Sequence, residues 1–396
     1  MGRSVKRTTD LRIQRLSISG AIVASLFFAA WLMNGQTRDS QAIAFSLVAG
    51  GMFGYILQRA RFCFFCITRD FMDQRDASGL LALVIALLVG TLGYHAVFGL
   101  FLPDASAGRL PPDAHIGPIS WVLALAALVF GIGMALSRSC ISAHLYRLGE
   151  GSIGSIPALI GALLGFGLGF ATWNSLYLAA IQQGPVIWLP THLGYGGSAL
   201  LQVIVLGGIA LLLVRAHKKP ASPKPATSAI AALVQQRWSA PVAGLAIGFL
   251  AVVVYLRVAP LGVTAELGSL SRTAGDQLGL LPARLQGLDT LAGCATVVKE
   301  TLLSPNGAFV IGMVSMAFAA ALPAGDFKPR LPSASEAGRN LLGGVLLGWG
   351  AMTAIGCTVG TLLSGIMAAA LSGWIFAVFC LIGVISTWKI LQRAEA

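Results

Sequence analysis

Apolar runs of about 17–25 residues recur along the whole chain, separated by shorter polar stretches. That is the length an α-helix needs to cross a hydrocarbon core of roughly 30 Å. The pattern predicts about ten crossing helices, near 17–34, 41–57, 79–102, 118–137, 153–173, 198–214, 240–256, 306–323, 340–355 and 373–388. A further stretch near 286–303 is too short and too polar to span, and reads as re-entrant or interfacial. The fold class expected is an all-α polytopic membrane protein with broken, re-entrant helices.

The polar segments divide the chain further. Residues 1–16 are polar and basic, with Arg3, Lys6, Arg7, Arg12 and Arg15. Residues 17–214 form a first transmembrane half and 240–390 a second. Between them, 215–239 is a basic, proline-rich linker containing Lys218-Lys-Pro-Ala-Ser-Pro-Lys-Pro225, an extended composition. Lysine and arginine concentrate in alternate loops, as topology signals do. Both termini, the linker and the loops near 58–78, 138–152 and 324–340 are therefore expected in the cytoplasm of a bacterial inner-membrane protein. Residues 174–197 lack Asp, Glu, Lys and Arg, and with Trp173, Tyr177, Trp188 and Tyr195 around them they read as an outer aromatic belt.

Composition agrees. The 396 residues are 56% hydrophobic and only 11% charged, leaving no room for a sizeable soluble domain. The 48 glycines suit helices that approach closely or are interrupted in the bilayer. The net charge of +12 resides in loops without basic-aromatic interleaving, so lipid rather than nucleic acid is the expected surroundings. Asn34-Gly-Gln-Thr-Arg38 offers no small-x-small cleavage pattern, so the first apolar run reads as retained.

The candidate chemistry lies in the six cysteines, whose spacing is not that of a secreted disulfide framework. Gly131-Ile-Gly-Met-Ala-Leu-Ser-Arg-Ser-Cys140 and Gly348-Trp-Gly-Ala-Met-Thr-Ala-Ile-Gly-Cys357 share one register of Gly-x-Gly and cysteine. The first copy ends a helix running inward and the second a helix running outward, so the two are inverted. Helices 41–57 and 240–256, with Gly50-Gly-x-x-Gly54 and Gly244-x-x-x-Gly248, form a second inverted pair. Inverted repeats with broken helices are the architecture of many secondary transporters. Cys63, Cys140 and Cys357, with Gly131, Gly133, Gly348 and Gly350, are the expected pathway residues. A half-helix starting at Cys140 or Cys357 would aim its N-terminal N–H groups at a passing anion.

Cys63 and Cys66 form a Cys-x-x-Cys, which reads as a redox dithiol or as a functional Cys63 beside a space-filling Cys66; the second is preferred. One such pair without further ligands is no metal site, and no metal or cofactor is expected. Arg61 and Arg69, with Arg59, either attract a departing anion or mark topology. Cys294 is either an entrance residue or incidental, and Cys380 reads as packing. Of His95, His115, His144, His192 and Glu300 as proton carriers, only His144, four residues past Cys140, carries any weight.

Arg61-Phe-Cys63, the following Arg69-Asp70 and the two Gly-x-Gly…Cys segments resemble the YeeE/YedE family of sulfur-transport membrane proteins, from about Gly50 to about Ser372. The resemblance implies uptake of thiosulfate or a related sulfur or selenium species, with Cys63, Cys140 and Cys357 as pathway thiols. Arg138-Ser-Cys140 departs from the two glycines the family more often places there. A small sulfur-containing anion is thus the expected partner, handed on to a cytoplasmic sulfurtransferase or a thiol carrier protein. Neutral thiols would hold a soft sulfur terminus weakly and in series, the condition for conduction. A non-enzymatic role is expected; the enzymatic rival is a thiol–disulfide oxidoreductase built on Cys63 and Cys66.

Overall fold

The computed structural model describes residues 2–218, 233–282, 284–288, 291, 298–299, 301 and 303–395, with side chains from Gln14 to Ala394. Among these residues there are helices and two isolated bridges but no strand. Among the described residues nine helices are long and apolar enough to span a membrane, and a tenth span is a pair bent by 44° between Thr353 and Thr358. The chain is a multi-pass membrane protein.

The helices are α1 (Gly2–Met33), α2 (Arg38–Ala60), α3 (Phe64–Gln74), α4 (Ser78–Phe101), α5 (Trp121–Ser137), α6 (Ile141–Gly149) and α7 (Ser155–Ala179). They continue with α8 (Leu189–Ala216), α9 (Ala240–Arg257), α10 (Thr264–Gln277), α11 (Pro305–Ala324) and α12 (Ala334–Thr353). The half-helix α13 (Thr358–Met367), π-wound over its first turns, precedes α14 (Leu371–Glu395). Polar side chains start the spans. The Thr37, Ser120 and Ser304 hydroxyls accept backbone N–H groups at the heads of α2, α5 and α11. Ser333 and Glu336 make a capping box at the head of α12.

Packing repeats. Helix α2 lies on α11 as α9 lies on α4; α7 lies on α12 as α14 lies on α5; α1 leans on α11 as α8 leans on α4. The first seven elements thus correspond in order to the last seven. Helices α5 and α12 pack on each other across the centre, antiparallel: Gly133 approaches Gly343, and Gly350 approaches Ala126. The second inverted pair is equally plain. Gly50 and Gly54 on α2 abut the backbone of Phe309 and Met313, and Gly244 and Gly248 on α9 abut that of Ala82 and Ala86. By this correspondence α8 belongs with the second set, so the structural repeat begins ahead of the linker.

One end of the molecule is basic. There Lys218 N–H bonds Arg75 O, Trp238 N–H bonds Arg59 O, and Lys328 N–H bonds Glu150 O. At the opposite end, Tyr255 donates to Pro112 O and Tyr195 to Leu102 O.

Several expectations need correction. Helix α1 starts at Gly2, so the basic residues 2–16 continue a span as helix. The expected loops after α2 and α9 contain the short helices α3 and α10. They are amphipathic and too short to register as spans. Of the rings expected at an outer interface, Trp188 is 1% exposed and Trp173 is buried, while Tyr177 and Tyr195 are half-buried. Trp188 Nε1–H donates to Ala368 O at 2.8 Å and Trp173 Nε1–H to Gln286 O at 2.9 Å, so these indoles brace connecting segments. Most of the linker (219–232), Cys294 and Glu300 lie outside the described residues.

Candidate functional site

Three helices end in the same way, each just ahead of a cysteine. α2 stops at Arg61 (φ 49°), α5 at Arg138 (φ 55°) and α12 at Ile355 (φ 56°), all left-handed. The following N–H reaches back five residues each time: Phe62 to Leu57 O, Ser139 to Met134 O, Gly356 to Ala351 O. This is the Schellman stop, which satisfies a carbonyl left over at a helix end. Next comes the cysteine, with extended backbone, as N-cap of a half-helix: Cys63 for α3, Cys140 for α6, Cys357 for α13. Its carbonyl accepts the first helical bond, from Ile67, His144 and Thr361 respectively. The three thiols therefore sit at the positive ends of three short helices.

The breaks converge. The Cys63 thiol is within hydrogen-bonding reach of both Cys140 and Cys66, and lies 3.8 Å from Ser139 Oγ. Cys140 Sγ is 3.3 Å from Ser142 Oγ. Cys357 Sγ accepts from Val359 N–H at 3.4 Å and touches the Thr264 side chain at the head of α10. Between the Cys140 and Cys357 half-helices lies a small cavity of about 10 Å³, lined by Cys140, Ser142, Thr358, Val359 and an apolar ring including Phe53 and Phe62. It has room for about one water. Cys63 and Cys357 are 1% exposed and Cys140 2%, so all three thiols are shut off from solvent. A second cavity of about 20 Å³, with His115, Thr361 and Ser372, lies beyond Ile355.

The expected glycines hold the helices rather than face the thiols. A Cβ on Gly131 would fall 2.2 Å from Cys380 O and one on Gly348 2.0 Å from Ala162 O, so the first glycine of each motif seats an outer helix. Gly133 and Gly350 let α5 and α12 touch each other. The register shared by the two motifs is thus a packing register as well as a thiol register.

The expected arginines are at the basic end and already paired. Arg61 is 48% exposed and 3.6 Å from Asp326, and Arg69 bonds its neighbour Asp70 at 2.6 Å. Arg59 is buried and spans Asp326 at 3.0 Å and Val234 O at 3.1 Å. Burial raises the nearby Glu150 carboxyl above its ordinary range, against the pull of Arg61. The cation that faces the thiols is another: Arg147 on α6 donates to Cys66 Sγ at 3.0 Å and to Arg138 O at 3.3 Å. Cys66 lies beside Cys63, and Arg147 reaches the Cys66 thiol from two turns into the helix that Cys140 heads, a contact that its place in a basic loop did not single out.

His144 is buried with Nδ1 3.4 Å from Ser155 Oγ, and His95 is held by Thr91 O and Ser198. Cys380 is buried in α14 packing, as expected. Among the described residues no group of His, Cys, Asp or Glu is arranged to hold a metal ion.

Known proteins match this frame over nearly its whole length. The thiosulfate transporter TsuA of Escherichia coli (strain K12) is 27% identical over 361 residues, covering 88% of this chain and 95% of that protein. TsuA of Spirochaeta thermophila is 28% identical over 356 residues, covering 85% and 95%. The probable transporter YedE of Escherichia coli is 37% identical over 79 residues, 20% of each chain. These relatives are named transporters, in keeping with a non-enzymatic role. The sulphur transport family model matches residues 59–386, from the stop before Cys63 to the last helix, and the chain belongs to that family.

Proposed function

We propose that the protein takes up thiosulfate, or a closely related sulfur-containing anion, across the bacterial inner membrane, with both termini in the cytoplasm. The observation that carries this reading is the set of three buried N-cap cysteines in a family of sulfur transporters, with Cys63 beside Cys140 and a small cavity between Cys140 and the half-helix that Cys357 heads. Thiosulfate is a tetrahedral dianion with one soft sulfur terminus. A thiol offers a weak S–H donor and a weak acceptor. Cys357, Cys140 and Cys63 pass that terminus inward in turn, each well too shallow to trap it. The half-helix N-termini offset the negative charge that buried thiols alone would leave unsatisfied. The basic end then receives the anion, and a cytoplasmic sulfurtransferase or thiol carrier protein consumes it. A selenium analogue would fit the same soft site.

Energy must come from elsewhere. Bringing a dianion in against about 100 mV costs about 4.6 kcal/mol, at roughly 2.3 kcal/mol per charge. The sequence contains no Gly-x-x-x-x-Gly-Lys-[Ser/Thr] loop for ATP. Co-transported protons or rapid consumption inside supply the difference.

The contact between Cys63 and Cys66 keeps one rival in view, a membrane thiol–disulfide oxidoreductase. Growth of a sulfur-auxotrophic host on single sulfur sources separates the two. The relay predicts growth on thiosulfate that is lost with Cys63→Ala, Cys140→Ala or Cys357→Ala and kept with Cys66→Ala. Equal loss with Cys66→Ala favours the dithiol enzyme. Growth supported only on sulfate would sink the thiosulfate assignment.

A further inference from the structure

Thiols account for the sulfur end of the anion but not for its oxygens. Hard oxygens need strong donors, and the donors near Cys140 and Cys357 are hydroxyls and backbone N–H groups. At Cys63 the situation changes. Arg147 reaches in from α6, beside both Cys63 and Cys66.

Its bonding is incomplete for a half-buried guanidinium. It contacts a carbonyl, Arg138 O, a thiol, Cys66 Sγ, and the Tyr146 side chain, and these do not exhaust its five donors. Among the described residues no carboxylate lies within ion-pair distance of it. Glu150 is engaged by Gln58 at 3.2 Å, Arg69 takes Asp70, and Arg59 and Arg61 share Asp326. Arg59, Arg61, Arg69 and Arg330 each have a carboxylate close by, whereas Arg147 has a thiol sulfur. A half-buried cation without a counter-anion is costly. A thiol is a weak acceptor, and an oxyanion bound by a guanidinium forms charge-assisted, often two-pronged bonds about twice as strong. An arriving oxyanion therefore displaces Cys66 with a net gain.

We propose that Arg147 binds the oxyanion end of the transported sulfur anion while the Cys63 thiol faces its sulfur end, a two-point site at the inner end of the pathway. The inference rests on the uptake reading above and deepens it. The two points select for an ion with both characters. Sulfate lacks the soft terminus, and hydrosulfide lacks the oxygens. Cys66 is the placeholder that occupies the guanidinium between passages.

The test is uptake of radiolabelled thiosulfate by the full chain in proteoliposomes, comparing the parent with Arg147→Gln and Arg147→Lys. Arg147→Gln is expected to raise KM about tenfold or more. Arg147→Lys keeps the charge but loses the fork, and is expected to raise KM about threefold. Both variants keep the parent's thermal midpoint to within a few degrees. Should Arg147→Gln fail to fold, Arg147→Lys carries the test alone. A purely structural role lowers the maximal rate and the midpoint but leaves KM where it was, and that result overturns the inference. A parent that moves no thiosulfate overturns the uptake reading and this inference together. A parent that moves it, with KM unchanged in the folded variants, overturns this inference alone.

Discussion

A thiol and a glycine do different work in the same ten-residue motif, and single substitutions separate them. The glycines at 131 and 348 are places where a neighbouring backbone fills the space of a side chain. Because the obstacle is a carbonyl rather than a flexible side-chain tip, a methyl group at 348 must move a whole helix. Gly348→Ala is expected to cost about 3 kcal/mol, the upper range for overpacking, read as a fall in thermal midpoint in detergent. Gly207→Ala on α8, where an added Cβ meets nothing within 4 Å, is the control and is expected to be neutral or slightly stabilising. Cys357→Ala should abolish uptake with little change in midpoint, whereas Gly348→Ala should lower both together. If Gly348→Ala leaves the midpoint untouched and still stops uptake, the glycine faces the pathway rather than the neighbouring helix.

The repeated element is a helix stop, a cysteine N-cap and a half-helix, and its three copies are not equally comfortable. Left-handed backbone costs an L-residue roughly 1–2 kcal/mol, and it is a real outlier for a β-branched side chain. Ile355 occupies it at φ 56°, where the other two copies place arginine. Ile355→Gly is therefore expected to stabilise the protein by about 1 kcal/mol, seen as a higher midpoint. A lower midpoint would mean that its packing against the outer cavity outweighs the backbone strain. Much of this element was legible in the sequence, and the limits of that legibility are physical. The copies at Cys140 and Cys357 announced themselves through glycines that the helix crossings require. The copy at Cys63 has only the first of the two glycines, Gly54, nine residues ahead of the cysteine and against the backbone of Met313; Ile56 stands where the second falls. The half-helices α3, α6 and α10 are 11, 9 and 14 residues long, too short and too two-sided to stand out from loops by hydropathy. Arg147 was hidden by the positive charge expected of any inward loop, since topology and ligand binding use the same residue. The buried tryptophans misled for a similar reason: an indole at a helix end suits a lipid interface and a backbone carbonyl equally well.

On the scale of the molecule, two sets of seven elements interlock so that each set completes the other's packing. Such an arrangement lets one half rock against the other about a central site, with opening at one end mirrored by closure at the opposite end. The correspondence assigns partners to the thiols. In the first set the head of α3 meets the head of α6, as Cys63 meets Cys140. In the second set the head of α10 must then meet the head of α13, and there Thr264 touches Cys357. The contact in the second set is a hydroxyl against a thiol where that in the first is thiol against thiol; on the proposed uptake reading the entrance then holds the anion less through sulfur than the exit does. Thr264→Cys tests whether the geometry is shared. A disulfide needs Cβ atoms about 3.5–4.5 Å apart, so a link forms only if the two helix heads sit as closely as those of the first set. Oxidation with copper phenanthroline is expected to join the new thiol to Cys357, detected as a linked peptide by mass spectrometry. Ser271→Cys, on the same helix but bonded to Leu163 O of α7, is expected to give no such peptide. Linked protein should also stop transporting, and reduction should restore it, because the contact at the head of α10 must part for the anion to enter. Absence of the link in Thr264→Cys, or its equal formation in Ser271→Cys, would show that α10 does not occupy the place that α3 holds in the other half.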